Sequence, residues 1–441
     1  MPYQFITDIL KVQRKIFRFP YFHLSSLVLK IVLLICVHQK AFSAFSNYNS
    51  ILPGDLISGL GGAGAAIIGD ISAAAFYNPS TLAWVKGNSF SAAVGIYKKF
   101  DTNYNNDEDF TKAALRANLG FFRSLPSSSG SLMKIGDWYC GMSIIVPDYD
   151  TYKGDLKSTD SQKTSYSFTD ESLWVGGAAA RRINEYSSWG LTLYYTARNY
   201  TSSLNDRSGI DGLSDYKTYF EEKTITQNGV VPVFGYFARI LPTIDMGVSA
   251  RFGVIPIGSA ASYLSTDFDA NSGTPVISSV NEESLTAKVV IPAKLTMGFH
   301  WQYDSTLKWS IQGDLYEGAT YRDISKEEVS TIVKHNAVFN GSFGFEKKWT
   351  PYLKTRFGGF TNFSAHPTPR IDLNREQPDR VDQLGFSANF VLTTRQNISY
   401  TFGGYYTGGR GRAIKKINGE YEIISKQQQV FTMLVGTAFS M

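Results

Sequence analysis

Only two cysteines, Cys36 and Cys140, occur in the 441 residues. Cys36 belongs to the leading segment described below, so internal disulfides are excluded from the rest of the chain. Long apolar runs are missing as well. A bilayer-crossing helix needs about 18 or more apolar residues in a row, and none follows residue 44. Histidine is scarce: beyond the leading segment only His300, His335 and His366 remain, and neither HExxH nor GxSxG occurs. A hydrolase needs a general base beside a nucleophile or an activated water. No such constellation is legible, which argues against an enzyme, and no cofactor is implied.

What is present is aromatic and glycine-rich: 14% Phe, Trp and Tyr and 39 Gly, with only 18% charged residues. That composition is β-like and unlike the Ala/Glu/Lys/Leu mixture of helical proteins. The first 43 residues read as a signal peptide. Lys11, Arg14, Lys15 and Arg18 lead, an apolar stretch runs from Leu24 to Val37, and Ala41-Phe42-Ser43 offers a small-residue cleavage site before Ala44. Lys30 interrupts the apolar stretch, which leaves room for a later start codon. A lipoprotein reading around Cys36 is weak, because Ile35 is bulky where a small residue is expected. The leader carries six basic residues and one acid, the whole of the +5 net charge. The remainder is formally neutral, so the basic pI is no evidence for nucleic-acid binding.

The strongest pattern has period two. Leu295, Met297, Phe299, Trp301 and Tyr303 alternate with Thr296, Gly298, His300 and Gln302. Leu384, Phe386, Ala388, Phe390 and Leu392 alternate with Gln383, Gly385, Ser387 and Asn389. Successive strand side chains point to opposite faces, so each segment has one apolar face and one polar face. About fourteen strands follow, near 88–98, 113–124, 137–150, 171–183, 189–202, 229–240, 245–257, 287–303, 307–321, 336–347, 352–363, 382–393, 397–407 and 428–441. Short connections such as Asp304–Thr306 alternate with long polar ones such as Ser203–Asn228. Short periplasmic turns opposite long outer loops, on an even strand number, predict an all-β transmembrane antiparallel barrel of the cell outer membrane. In hydrocarbon an open sheet edge is untenable, so the barrel must close. The last strand carries Phe431, Met433, Val435, Phe439 and Met441 on one face to the final residue. It resembles the signal read by the outer-membrane insertion machinery, with Met where Phe is usual.

The stretch before the first strand lacks period two. From Gly59 it reads Gly-Leu-Gly-Gly-Ala-Gly-Ala-Ala, then Asp70, a small-residue run, and Phe76-Tyr77-Asn78-Pro79-Ser80. This resembles the N-terminal hatch of the FadL-like outer-membrane transporters of long-chain fatty acids and other hydrophobic compounds, with Ser80 where that family has Ala. Ile291-Pro292-Ala293-Lys294 resembles the family's proline-led strand opening, and Val146-Pro147 lies where its members kink the third strand. The resemblance implies residues 44–87 as a plug inside a barrel of residues 88–441. It further implies Phe76, Tyr77, Asn78 and Pro79 along the ligand path, and Pro147 as the strand kink that opens the wall. Partners would be membrane lipids and a hydrophobic small molecule. Pro79 fixes its own φ and pushes Asn78 to extended backbone, and Pro147 cannot donate a ladder hydrogen bond.

Other motifs weigh less. Gly59–Gly64 matches GxGxxG literally but lacks the strand–loop–helix context of a dinucleotide site. Asp101, Asn103, Asn105, Asp107 and Asp109 alternate as in an EF-hand, yet Asn106 stands where Gly is needed and Lys112 where Glu is needed. Cys140 falls in the apolar series Trp138, Met142, Ile144, which suits inert packing. Two functions fit: passive transport of hydrophobic molecules, or a non-transport outer-membrane scaffold or secretion accessory, with a lipid-binding homo-oligomer as one form of the second.

Overall fold

The computed structural model describes residues 47–104, 123–158, 162–209, 216–270, 276–288, 290–373, 377–417 and 420–440. The leader and most of the expected second strand, 113–124, lie outside them. The first seven strands are β1 Ser89–Tyr104, β2 Arg123–Ile135, β3 Trp138–Ser158, β4 Gln162–Arg182, β5 Ser187–Ser208, β6 Lys217–Leu241 and β7 Ile244–Arg251. Then come β8 Ile255–Asp269, β9 Val276–Leu285, β10 Lys294–Gln302, β11 Leu307–Tyr316, β12 Ala319–Arg322 and β13 Ile332–His335. The last five are β14 Val338–Lys348, β15 Leu353–Asn362, β16 Gln377–Thr393, β17 Ile398–Ile417 and β18 Glu420–Ser440.

Fourteen of these close an antiparallel barrel. Ser89↔Ser440 through Tyr104↔Ser425 joins β1 to β18, and β5 pairs with β6, so the strand order closes on itself. β8 and β9 prolong the outer half of β6 beyond the wall, and β12 with β13 makes a separate hairpin. The faces are inverted relative to a soluble protein. Leu384 is 64% exposed while its neighbour Gln383 is fully buried. Met142, Ile311, Phe339, Phe386 and Met433 likewise point out, and Ser143, Gln312, Asn340 and Thr432 point in. Hydrocarbon accepts the first set; of the second set, Ser143 donates to Ser72 O and Gln312 accepts from Gly64 N and Ala65 N of the N-terminal segment. Trp138, Trp189, Trp301, Trp309 and Trp349 all stand at the short-turn end, where indole rings suit the bilayer interface. The fold is the outer-membrane barrel that the alternation predicts.

Several expected boundaries move. β2 includes 125–135, which the sequence reading left as a connection, and it turns into β3 through Gly136. Its alternation is hard to see because both faces are small or polar: Ser128 and Gly130 turn in against the N-terminal segment, and Ser129 and Ser131 turn the other way. The stretch expected as one strand over 245–257 breaks at 252–254, and β10 begins only at Lys294, because 290–292 turn into the lumen. The strand expected over 307–321 ends at Tyr316. Most long polar connections are strand extensions: β5 and β6 pair out to Ser208↔Lys217, and β17 and β18 to Ile417↔Glu420. Beyond the bilayer both faces of a hairpin meet water, so period two fades while pairing persists.

Candidate functional site

The N-terminal segment packs against inward-facing residues of the wall. It holds two short helices, α1 Asp55–Gly59 and α2 Ile71–Tyr77, and a 3₁₀ turn, Pro79–Trp84. Helices this short do not stand alone in water; side-chain caps and the wall hold them. Asp70 caps α2, accepting from Ala73 N at 3.3 Å and Ser72 Oγ at 2.8 Å. Its other oxygen accepts from Leu56 N and Ile57 N, each at 3.0 Å, and ties α1 to α2. Burial, with the charge of Asp55 beside it, pushes Asp70 up to about 7 despite these donors.

Asn78 is fully buried and uses both ends of its amide. Nδ2 donates to Ala65 O at 2.7 Å and to Tyr236 O of β6 at 3.1 Å, while Oδ1 accepts from Ser80 N and Ser80 Oγ. Ser80 therefore adds a hydrogen bond that an alanine would lack. Gln312 Oε1 accepts from Gly64 N and Ala65 N at 2.8 Å, and Asn389 Nδ2 donates to Asp55 O at 2.9 Å. Two wall glycines make the approach possible: a Cβ on Gly247 would lie 1.8 Å from Ala65 O, and one on Gly235 would lie 2.0 Å from Asn78 Oδ1.

Beside α2 a narrow cavity opens between this segment and the wall. Phe76, Tyr48, Pro147, Trp174, Ile291 and Pro292 give it an apolar side; Asp148, Arg198, Gln227 and Arg251 give it a polar one. Phe76 meets Trp174 edge-on at 5.8 Å, and Tyr48 stacks on Tyr316 at 4.4 Å. Arg198 is held by Asp170 in a bidentate pair and donates to Gln227 Oε1 at 2.9 Å. Arg251 lies over the Trp174 ring at 5.5 Å and donates through Nη2 to Pro292 O at 3.3 Å. Its buried Nε has no hydrogen-bond acceptor among the described residues.

Pro147 marks a defect in the wall. The β3–β4 register jumps between Ile145↔Trp174 and Asp148↔Ser172, a bulge around Val146-Pro147. On its other side β3 pairs with β2 only as far as Ile145↔Ser128. β2 itself continues along β1 to Arg123↔Tyr97. Among the described residues, β2 and β3 therefore part at the cavity.

Of the residues singled out in the sequence, Phe76 and Pro147 line the cavity. Tyr77 turns the other way, into a cluster with Ile57, Leu60, Ile67 and Ala73. Asn78 and Pro79 join the N-terminal segment to β5 and β6. The sequence reading missed Trp174, Arg198 and Arg251. Parity held the signal for Trp174: Leu173 is 43% exposed, which puts Trp174, a large aromatic, on the polar lumen face. His300 faces inward and its Nδ1 lies 3.0 Å from Ser310 Oγ, a cross-strand pair away from the cavity. Of the EF-hand-like run only 101–104 are described, and they lie on β1. Among the described residues no group of three His, Cys, Asp or Glu is arranged to hold a metal.

No protein-family model and no curated protein matches the sequence. Solved structures do. A Pseudomonas aeruginosa FadL homologue aligns with a TM-score of 0.65 at 13% identity, over 91% of this chain and all of that one. The CymD monoaromatic hydrocarbon channel aligns at 0.63 and 15% identity, over 89% of this chain and 99% of that one. The Pseudomonas putida toluene transporter TodX aligns at 0.62 and 12% identity, over 90% and 99%. At such identities the likeness establishes the fold.

Proposed function

With the FadL-type fold as premise, we propose that this chain carries hydrophobic small molecules passively across the outer membrane, with residues 44–87 as a plug. The ligand rests in the cavity, its apolar part against Phe76 and Trp174, and leaves sideways where β3 parts from β2 beside Pro147. One observation carries this reading: the aromatic residue of the plug helix and the proline of the wall defect border a single cavity. The solved neighbours are named as hydrocarbon channels, a toluene transporter and a FadL homologue, which supports the same class.

The polar side narrows the class. A bare hydrocarbon leaves buried polar groups unanswered, which is costly, whereas an amphiphile such as a long-chain fatty acid offers a head group to Arg251. The test is binding of a fluorescent long-chain fatty acid and of a neutral aromatic to the purified barrel. Saturable fatty-acid binding, reduced by Phe76→Ala, supports the reading. Binding of neither ligand overturns it in favour of the scaffold alternative.

A further inference from the structure

Outside the cavity, the outer end of the lumen is crossed by the β12–β13 hairpin, which takes no part in the barrel ladder. Two short links attach it, Glu317-Gly318 after β11 and Asn336-Ala337 before β14. An outer loop in water would show mostly exposed side chains, yet Tyr321, Ile324 and His335 are buried. The hairpin is folded inward. Ile324 forms an isolated antiparallel bridge with Ala287 and packs with Ile225 of β6 and Ala261 of β8. Tyr48, a cavity residue, lies 3.4 Å through its hydroxyl from His335 Nδ1. Lys288 N donates to Asp323 O, and Lys288 O accepts from the cavity residue Gln227. The hairpin therefore lies directly on the outer side of the cavity.

What holds it down is largely polar and local. Lys223 Nζ of β6 meets Asp323 Oδ2 at 2.5 Å with both side chains mostly buried, and also reaches Thr331 Oγ1 at 3.5 Å. The other oxygen of Asp323 accepts from Ile324 N and Thr331 N, inside the hairpin. One lysine on the wall thus fastens a carboxylate that organises the hairpin's own turn. A permanent lid would be sealed by a broad apolar face; here the apolar contact is small and the fastening is polar, with Lys223–Asp323 as its buried ion pair, Lys326–Glu282 as a more exposed one, and main-chain bonds to Thr286 and Lys288.

We propose that the β12–β13 hairpin is the outer gate of the lumen, latched by Lys223–Asp323 and swinging on its two links to admit ligand to the cavity. The inference rests on the transport reading for its ligand but makes a separate claim about motion. Two measurements on the full-length barrel test it, both with Cys140→Ser to remove the native thiol. In the first, Ile324→Cys is exposed to a water-soluble maleimide, with and without Lys223→Gln. The gate requires labelling several-fold faster once the latch is cut; equal rates overturn it, whatever the barrel transports.

In the second, Ala287→Cys and Ile324→Cys are joined as a disulfide, which the spacing of directly paired residues in antiparallel strands permits. Entry of a fluorescent long-chain fatty acid should slow tenfold or more in the oxidised form and recover on reduction, with equilibrium affinity unchanged. Entry at one rate in both forms overturns the gate and leaves transport standing. Faster labelling in the first experiment with no fatty-acid binding in either form upholds the moving hairpin and overturns the transport reading.

Discussion

Phe76, on the short helix α2, and Pro147, at the bulge of β3, line one cavity although one belongs to the N-terminal segment and the other to the wall. The shared lining is set by backbone geometry. Asp70 starts α2, Asn78 ends it and anchors it to β6, and that fixes which way Phe76 faces. Across from it, a proline that cannot donate to the ladder sits where β3 leaves β2. A ligand held against Phe76 is therefore already next to the break.

The two neighbouring aromatics are expected to separate on mutation. Phe76→Ala should weaken fatty-acid binding about tenfold, the scale of one aromatic contact of roughly 1.4 kcal/mol, and leave the N-terminal segment seated. Tyr77→Ala removes a ring from the core of that segment and should cost it ~3–5 kcal/mol, as large buried truncations do. Maleimide labelling of a cysteine at Ala65, which is buried, reports seating. It should stay slow in the first variant and quicken in the second.

Seating also depends on the wall. Gly247→Val places a side chain where Ala65 O now lies, with even its Cβ only 1.8 Å away. The strands can still pair, so the barrel should insert and keep the electrophoretic shift between unheated and boiled samples. The N-terminal segment should be displaced, and single-channel conductance should rise. A variant with unchanged conductance and unlabelled Ala65→Cys would show that the wall yields instead.

Much of this architecture was readable beforehand. Alternation such as Gln383/Leu384 gives the strand and its two solvents together, because only a membrane barrel sets Leu outward and Gln inward along the whole wall. The small-residue composition of residues 59–80 was visible too, and it fits the close approach of this segment to wall glycines such as Gly247. Trp174 and Arg251 were not legible as one site. They come from different strands and meet only through barrel closure, which periodicity does not encode. The hairpin around Ile324 was hidden too: its polar turn reads as a loop, and nothing local announces that it folds inward. The boundary of β2 was lost because Ser128 and Gly130 answer to α2 while Ser129 and Ser131 on the other face are polar too, so no alternation shows.

Pro147→Val supplies a backbone donor at the bulge and removes the restraint on Val146. If the parting of β2 and β3 is the sideways exit, uptake of fatty acid into intact cells should fall several-fold. Equilibrium binding to purified barrels should hold within a factor of about three, because valine keeps an apolar surface on the cavity. Loss of binding and uptake in equal measure would instead assign Pro147 to the pocket alone.

The seating of the N-terminal segment should depend on pH through Asp70. Its folded pKa is raised, to about 7 from an ordinary 3.8, chiefly by burial and next by the charge of Asp55. A group raised on folding binds more protons folded than unfolded, so its contribution is fully present below pH 3.8 and is lost as pH climbs through about 7. Labelling of Ala65→Cys, corrected for the reagent's own pH dependence, should therefore be slower at pH 5 than at pH 7 and quicken toward pH 8. Asp70→Asn removes the titration and should flatten that profile. Asp70→Ala should release the segment at every pH, since it strands the buried amides of Leu56 and Ile57 at about 1–3 kcal/mol each. A profile as steep in Asp70→Asn as in the parent would assign the pH response to another group.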